Sequence, residues 1–295
     1  MRTKLLKVER LITMEQLPGS PGFDAGTYGQ SFADIYDAWY PADHSTQAAV
    51  EYLSLLASEV LSESVSAEPV LAESVSAEPV LAGAGPSPRI LELGVGTGRL
   101  ALPLALAGNQ IQGMDSSSAM LDQLQKKPGA ANIKLVLGDV ADPAAWPEGP
   151  FELVVAAFNL LFNLSQEAAQ AALFRSAAQA LSENGRFVVE AFIPAPLDAN
   201  ERRLAVREVS AASVVLIATD ATAATGEVIG QHIELRDGEP VRLRPWKIRV
   251  ATPTQIDALA ATAGLELQHR HADWIGTEFD PYGTAHVSVY RKALS

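Results

Sequence analysis

From residue 89 onward, short apolar runs alternate with stretches of helical period. Ile90, Leu91 and Leu93 form a run suited to a strand buried on both faces. Similar runs follow at 110–114, 133–137 and 151–156, with helical stretches at 98–107 and 117–125 between them. Ser165 caps a further helix to about Leu181, Gly185 ends it, and Arg186–Phe192 reads as a fifth strand. Strands alternating with helices in this way predict a parallel sheet covered on both faces.

Beyond Ile193 the period changes. β-Branched runs at 206–209, 213–218, 226–234 and 241–250, joined by turns such as Asp237-Gly238, predict an inserted antiparallel β cap. Thr252-Pro253-Thr254-Gln255 is a capping box with Pro at the first helical position, and its helix stops at Gly264. Leu265–His269 and His286–Tyr290 read as the last two strands. At the other end, Phe32, Tyr36, Trp39 and Tyr40 fall at helical spacing and form an aromatic stripe, followed by a helix from about Ser45 to Leu61. Residues 63–72 and 73–82 are identical copies of one Pro-containing decapeptide, which reads as a tandem duplication in a surface linker. The expected organisation is therefore a mobile N-terminus (1–25), a helical lid (26–62), a flexible linker (63–88), a core (89–192), a β-rich cap (193–250) and a C-terminal return to the core (251–295).

Charge narrows the function. The net charge of −13 leaves no basic footprint, which demotes nucleic-acid substrates and anionic membrane surfaces and leaves a small molecule as the expected partner. The absence of cysteine excludes disulfides, thiolate zinc sites and a cysteine nucleophile. Charges at Arg2, Lys4, Lys7, Glu9 and Arg10 interrupt any signal-peptide apolar region, and no run of eighteen apolar residues occurs. A cytoplasmic protein is expected.

The chemistry concentrates after the first core strand, in Glu92-Leu93-Gly94-Val95-Gly96-Thr97-Gly98-Arg99. Three glycines let backbone N–H groups approach a ligand closely. The nicotinamide fingerprint needs a glycine at position 99, where this chain has Arg99. Glu92, two residues before Gly94, would repel a pyrophosphate and accept hydrogen bonds from an ammonium group. Asp115 ends the second strand twenty-one residues after Gly94, the offset at which an acid meets ribose hydroxyls. Ser116, Ser117 and Ser118 can cap the next helix, which begins its apolar face at Met120. Gly138-Asp139-Val140 closes the third strand, and Phe158-Asn159 follows the fourth. Taken singly, the loop is also a packing turn, Asp115 also a helix cap and Asp139 also an ordinary turn residue. Taken together and in order, at successive strand ends, they point to one nucleoside site.

The Gly94–Gly98 loop resembles motif I of the class I S-adenosylmethionine (SAM) dependent methyltransferases, and Gly113-x-Asp115-x-Ser117-x-x-Met120-Leu121 is similar to that family's ribose motif. The resemblance implies a Rossmann-like, doubly wound seven-stranded sheet, parallel but for one strand, the last two strands forming an antiparallel hairpin. It implies SAM as cofactor, with Glu92, Leu93, Gly94, Val95, Gly96 and Gly98 at its amino-acid end, Asp115, Ser116 and Met120 at the ribose, and Gly138, Asp139 and Val140 at adenine. Phe158 and Asn159 would flank the sulfonium, and Tyr28 or Tyr36 would form a lid over it, the alternative being that the aromatic stripe is core. The implied activity is methyl transfer to N, O or C of a metabolite. Methylation of a protein or peptide, and a non-catalytic SAM sensor, are the alternatives.

No catalytic base is singled out by pattern; Tyr28, Tyr36, Asn159 and His232 are the candidates. His232 reads as a base or as a surface strand residue. His269, His271 and Asp273 alternate along the chain, and a solvated polar face is expected there in preference to a metal site. Arg244, Trp246 and Arg249 are placed at the pocket mouth or on a solvated strand face.

Overall fold

The structure, a computed structural model, describes residues 23–67, 86–196 and 201–293. The expectations for residues 1–22, and for the linker from 68 to 85, lie outside the described residues.

The core strands are β1 (Arg89–Leu93), β2 (Gln110–Asp115), β3 (Lys134–Leu137), β4 (Phe151–Ala156) and β5 (Leu181–Phe192). With β10 (Leu265–His271) and β11 (Ala285–Lys292) they form one seven-stranded sheet in the order β10-β11-β5-β4-β1-β2-β3. Strands β1 to β5 pair in parallel, while β11 runs antiparallel to both its neighbours, so a single strand is reversed. Alternate residues of each strand feed two apolar layers. Leu91, Leu93, Val154 and Val189 face α7 (Glu167–Ala180) and α8 (Pro253–Thr262). Ile90, Leu153, Val155 and Val188 face α3 (His44–Ala67), α4 (Ala101–Leu106) and α5 (Ser118–Gln125).

Local signals explain the starts of α5 and α8, whereas the Ser165 cap expected for α7 does not form, the N-cap being Gln166 with no side-chain hydrogen bond. Ser117 Oγ accepts from Met120 N–H and starts α5. The Thr252–Gln255 capping box forms in both directions and starts α8, with Pro253 in its first turn. Three further expectations are corrected. Gly185 does not end a helix: α7 stops at Ala180 and Gly185 lies inside β5, which begins at Leu181 and absorbs a register shift against β4. The helix after the glycine loop begins at Ala101 and not at 98, because residues up to Leu100 are spent in turns. Helix α3 belongs to the sheet's covering layer and not to a lid: Ala49, Leu53, Ala57 and Val60 are buried in it. It also runs to Ala67, so the first decapeptide copy starts as helix, and Glu63 pairs with buried Arg186 at 3.0 Å.

The β cap is a separate antiparallel sheet of β6 (Glu201–Val209), β7 (Ser213–Thr222), β8 (Glu227–Arg236) and β9 (Arg242–Arg249), in that order. Two short helices, α1 (Thr27–Phe32) and α2 (Tyr36–Trp39), lie between this sheet and the core. Helix α6 (Leu160–Asn163) follows β4. Among the described residues no helix is long and apolar enough to cross a membrane.

Candidate active site

The carboxyl ends of β1, β2 and β4, with the turn after β3, open onto one cavity enclosing about 840 Å³ of empty space out to its mouth. Glu92, Asp115 and Asp139 all line it, together with the Gly94–Thr97 backbone. This is where an open α/β sheet offers a crevice, because neighbouring loops diverge there. Tyr28, Gly29 and Tyr36 of the two short helices form the roof.

Gly94 sits at φ 61°, and a Cβ there would come within 2.5 Å of Leu160 Cδ1, so a side chain at this position would be strained in its backbone and would have to displace Leu160. Asp115 organises the loop from the next strand: Gly96 N–H donates to Oδ2 and Ser117 N–H to Oδ1, each at 2.8 Å. Asp139 accepts from Ala141 N–H at 2.8 Å. Glu92 is different. It is 4% exposed, and its Oε2 finds no hydrogen-bond donor among the described residues. Burial pushes its pKa up to about 8, against the opposing pull of Arg99. On the other side of the ledger, Arg99 Nε is buried without an acceptor. One cavity therefore holds an orphaned acceptor and an orphaned donor. A zwitterionic amino-acid tail supplies the missing ammonium and carboxylate, so the residues present fit the methionyl end of SAM.

Phe158 and Asn159 leave β4 in the left-handed region, at φ 50° and 63°. Such backbone costs on the order of 1–3 kcal/mol per residue and persists only where surroundings enforce it. The turn carries the Phe158 ring into the cavity, where the Arg99 guanidinium lies 3.2 Å from the ring centroid. Tyr28 stacks on Phe32 at 4.6 Å and meets Tyr36 edge-on. Burial raises the pKa of both phenols, Tyr36 to about 12, so both stay protonated at neutral pH.

The roof is tied down on two sides. Toward the core, Thr97 Oγ1 donates to Asp37 Oδ1 at 2.5 Å, Lys127 pairs with Asp37 at 2.6 Å, and Ser116 Oγ donates to the Ala25 carbonyl at 2.7 Å. Toward the cap, Arg244 reaches Asp34 at 2.5 Å and Glu234 at 3.2 Å.

Several expected site residues lie elsewhere. Leu93 points into the core below the cavity, and Gly98 packs on Leu124. Gly138 borders an adjoining void that it shares with Ser116 and Asp139. Asn159 does not line the cavity; its Oδ1 accepts from Phe192 N–H at 2.7 Å and holds the turn. His232 is neither a base in the cavity nor a surface residue. It is 6% exposed, its Nδ1 accepts from Trp246 Nε1 at 3.0 Å, and the rings of Phe32 and Trp39 enclose it. Burial lowers its pKa to about 4, with help from Arg207 and Arg244. Arg244 clasps the roof to the cap, Trp246 bonds His232 within the cap and packs on the Phe32 cluster, and Arg249 bonds Gln170 and Glu167, so none of the three is a solvated face. The His269 and His271 rings stack at 6.2 Å, while Asp273 is bonded within its own loop by Thr277 and Ile275. No group of three or more His, Cys, Asp or Glu able to hold a metal occurs among the described residues.

Comparison with known proteins agrees with this geometry. The family profile described as "Methyltransferase domain" matches residues 90–185. The CcbJ methyltransferase of Streptomyces caelestis superposes with a TM-score of 0.77 at 33% identity, covering 92% of this chain and 100% of that one. The chain belongs to the SAM-dependent methyltransferases. SAM is its cofactor, and the fold is that of class I. A SAM-dependent methyltransferase of Clostridium acetobutylicum shares the fold alone, with a TM-score of 0.67 at 14% identity over 90% of this chain and 99% of that one. Among curated proteins, the cypemycin N-terminal methyltransferase of a Streptomyces species is 31% identical over 106 residues, 36% of this chain and 42% of its own length.

Of the methyltransferase's cavity residues, Ala25, Gly29, Thr97, Arg99, Ala157, Leu160 and Asn163 escaped the motif reading as contacts. For Arg99 the signal was present, since a cation directly after the loop faces whatever the loop holds. Leu160 and Asn163 are placed by the strained turn before them, which no residue pattern announces.

Proposed function

We propose that this methyltransferase transfers a methyl group to an amine nitrogen of a small molecule. When bound, SAM supplies a methyl group on a sulfonium centre. Glu92 would hold its ammonium, Arg99 its carboxylate, Asp115 the ribose diol, and Asp139 with the Val140 backbone the adenine. Phe158, Tyr28 and Tyr36 would surround the sulfonium with aromatic faces and neutral phenols, which suit positive charge and exclude water.

The observation that carries the amine reading is the lack of a usable base. Among the described residues no His, Cys or Lys lines the cavity. His232 is sealed off, and both phenols stay protonated. An alcohol acceptor needs a group to take its proton during attack, whereas a neutral amine brings its own lone pair. The curated relative acts, by its name, on a peptide N-terminus, which supports a peptide amine as the second reading.

Methyl-labelled SAM offered with matched panels of amino, hydroxyl and phenol metabolites and short peptides tests both. Transfer to small amines that rises with pH as they lose their protons is the expected result. Transfer confined to hydroxyl acceptors would sink the proposal, and transfer confined to peptide N-termini would favour the second reading.

A further inference from the structure

The strained Phe158-Asn159 turn is held by a residue that does not itself reach the cavity. Glu190, near the end of β5, accepts from Phe158 N–H through Oε2 at 2.8 Å. Its main-chain oxygen accepts from Asn159 N–H at 3.2 Å. Its other carboxylate oxygen accepts from Trp274 Nε1 at 2.9 Å. Trp274 is buried and packs edge-on against Tyr52 of α3, so the far end of this chain of contacts is anchored in the apolar layer beneath the sheet.

A carboxylate is an expensive choice for such a place, because burial penalises its charge. It offers something an amide does not: two oxygens that both accept and no hydrogen that must be satisfied. Two N–H donors from different elements meet here, one from an immobile indole and one from a backbone amide in a conformation that bulky residues rarely adopt. A glutamine would serve one donor and confront the other with its own NH2.

We propose that Glu190 is a positioning residue of the cofactor site. It clamps the Phe158 amide to the Trp274 anchor, which sets the angle of the Phe158 ring and, through the stacked guanidinium, the reach of Arg99. The inference rests on the cavity being the cofactor site, with Phe158 and Arg99 at its methionyl end.

Calorimetric titration of the full-length protein with SAM tests it, using E190Q, F158A, the double variant and E92Q, each checked for folding by cofactor-free thermal melting. E190Q is expected to weaken binding about tenfold and F158A by at least as much, with the double variant within about twofold of F158A alone. That coupling is what a residue acting through the ring produces. Losses that multiply in the double variant would show a generic structural role and overturn the proposal, as would E190Q binding like the parent. Should E190Q fold poorly, Trp274→Phe, also checked by thermal melting, removes the anchoring N–H along with part of the ring and is expected to weaken SAM binding about threefold. Unchanged affinity there counts against the clamp. E92Q separates the two levels: if it binds normally the cavity reading itself fails, whereas a weakened E92Q beside multiplying E190Q and F158A losses leaves that reading intact and removes only the clamp.

Discussion

The floor and the roof of the cavity are built by opposite rules. The floor gathers Glu92, Gly94, Gly96 and Asp115 from twenty-four consecutive residues, placed by the ends of two paired strands, β1 and β2. The roof holds together through partners far apart in the chain. Arg244 and Asp34 are 210 positions apart, and Phe32 meets His232 across two hundred. The floor is a property of local pattern laid over a parallel sheet. The roof exists only after the cap has folded back over α1 and α2. Among the described residues, buried groups of the floor are left unsatisfied at Glu92 Oε2 and Arg99 Nε on the cavity wall itself, while Arg244 of the cap spends both terminal nitrogens on Asp34 and Glu234 and leaves only its Nε unpaired, away from the cavity. An unpaired acceptor and an unpaired donor facing one cavity are what a ligand can complete; the ion pairs of the cap are where the chain completes itself.

Substitutions can break this contrast. Leu153→Ala, in the fully buried centre of β4, is expected to cost about 3–4 kcal/mol of global stability in urea unfolding, since it opens a cavity in the sheet's apolar layer. Glu92→Gln should not lower that stability, since burial of the acid opposes its ionisation, and should weaken SAM binding roughly tenfold to a hundredfold, measured by calorimetry, as expected for one charge-assisted hydrogen bond. Arg244→Ala should cost only about 1–2 kcal/mol in the same unfolding experiment. Asp34 is half exposed and Glu234 keeps Arg236, so neither acid is stranded. A loss as large as that of Leu153→Ala would mean that roof and floor unfold as one unit.

The smallest effect is a difference in pH dependence, because its two parts oppose each other. Glu92 has a raised folded pKa near 8, so its contribution to stability without cofactor is full below its unfolded value and is lost as pH rises through 8. His232 has a lowered folded pKa near 4, so its contribution is full above its unfolded value and is lost as pH falls toward 4. Acidification from neutral pH should therefore favour the floor and disfavour the roof. Urea midpoints across that range should lose a stabilising acid trend in E92Q and a destabilising one in His232→Gln. Parallel curves for both variants would erase the distinction.

How far each region could be read in advance follows the same division. The glycine loop, the ribose acid and the capping box at Thr252 were legible because each is a backbone requirement met within a few residues. His232 was misplaced because its alternation along β8 says only that it shares a face with Gly230 and Glu234, not that Trp39 and Phe32 will cover that face. Arg244 was assigned to the pocket mouth or to solvent for the same reason. Glu190 was invisible, since a lone acid near a strand end carries no signal until the Phe158 amide and the Trp274 indole arrive from other elements. Gly185 was read as a helix stop, although the strand after it had already begun at Leu181.

The amino-acid sequence by itself determined the class of ligand and the order of strands, because hydrophobic period, glycine spacing and one acid before the loop act over distances of a few residues. Only the tertiary structure decided which polar groups would be satisfied. Whether a buried Glu, Arg or His is a ligand, a clasp or a clamp depends on donors and acceptors brought from remote parts of the chain. In low-dielectric surroundings that pairing, and not the residue type, sets both its charge and its role.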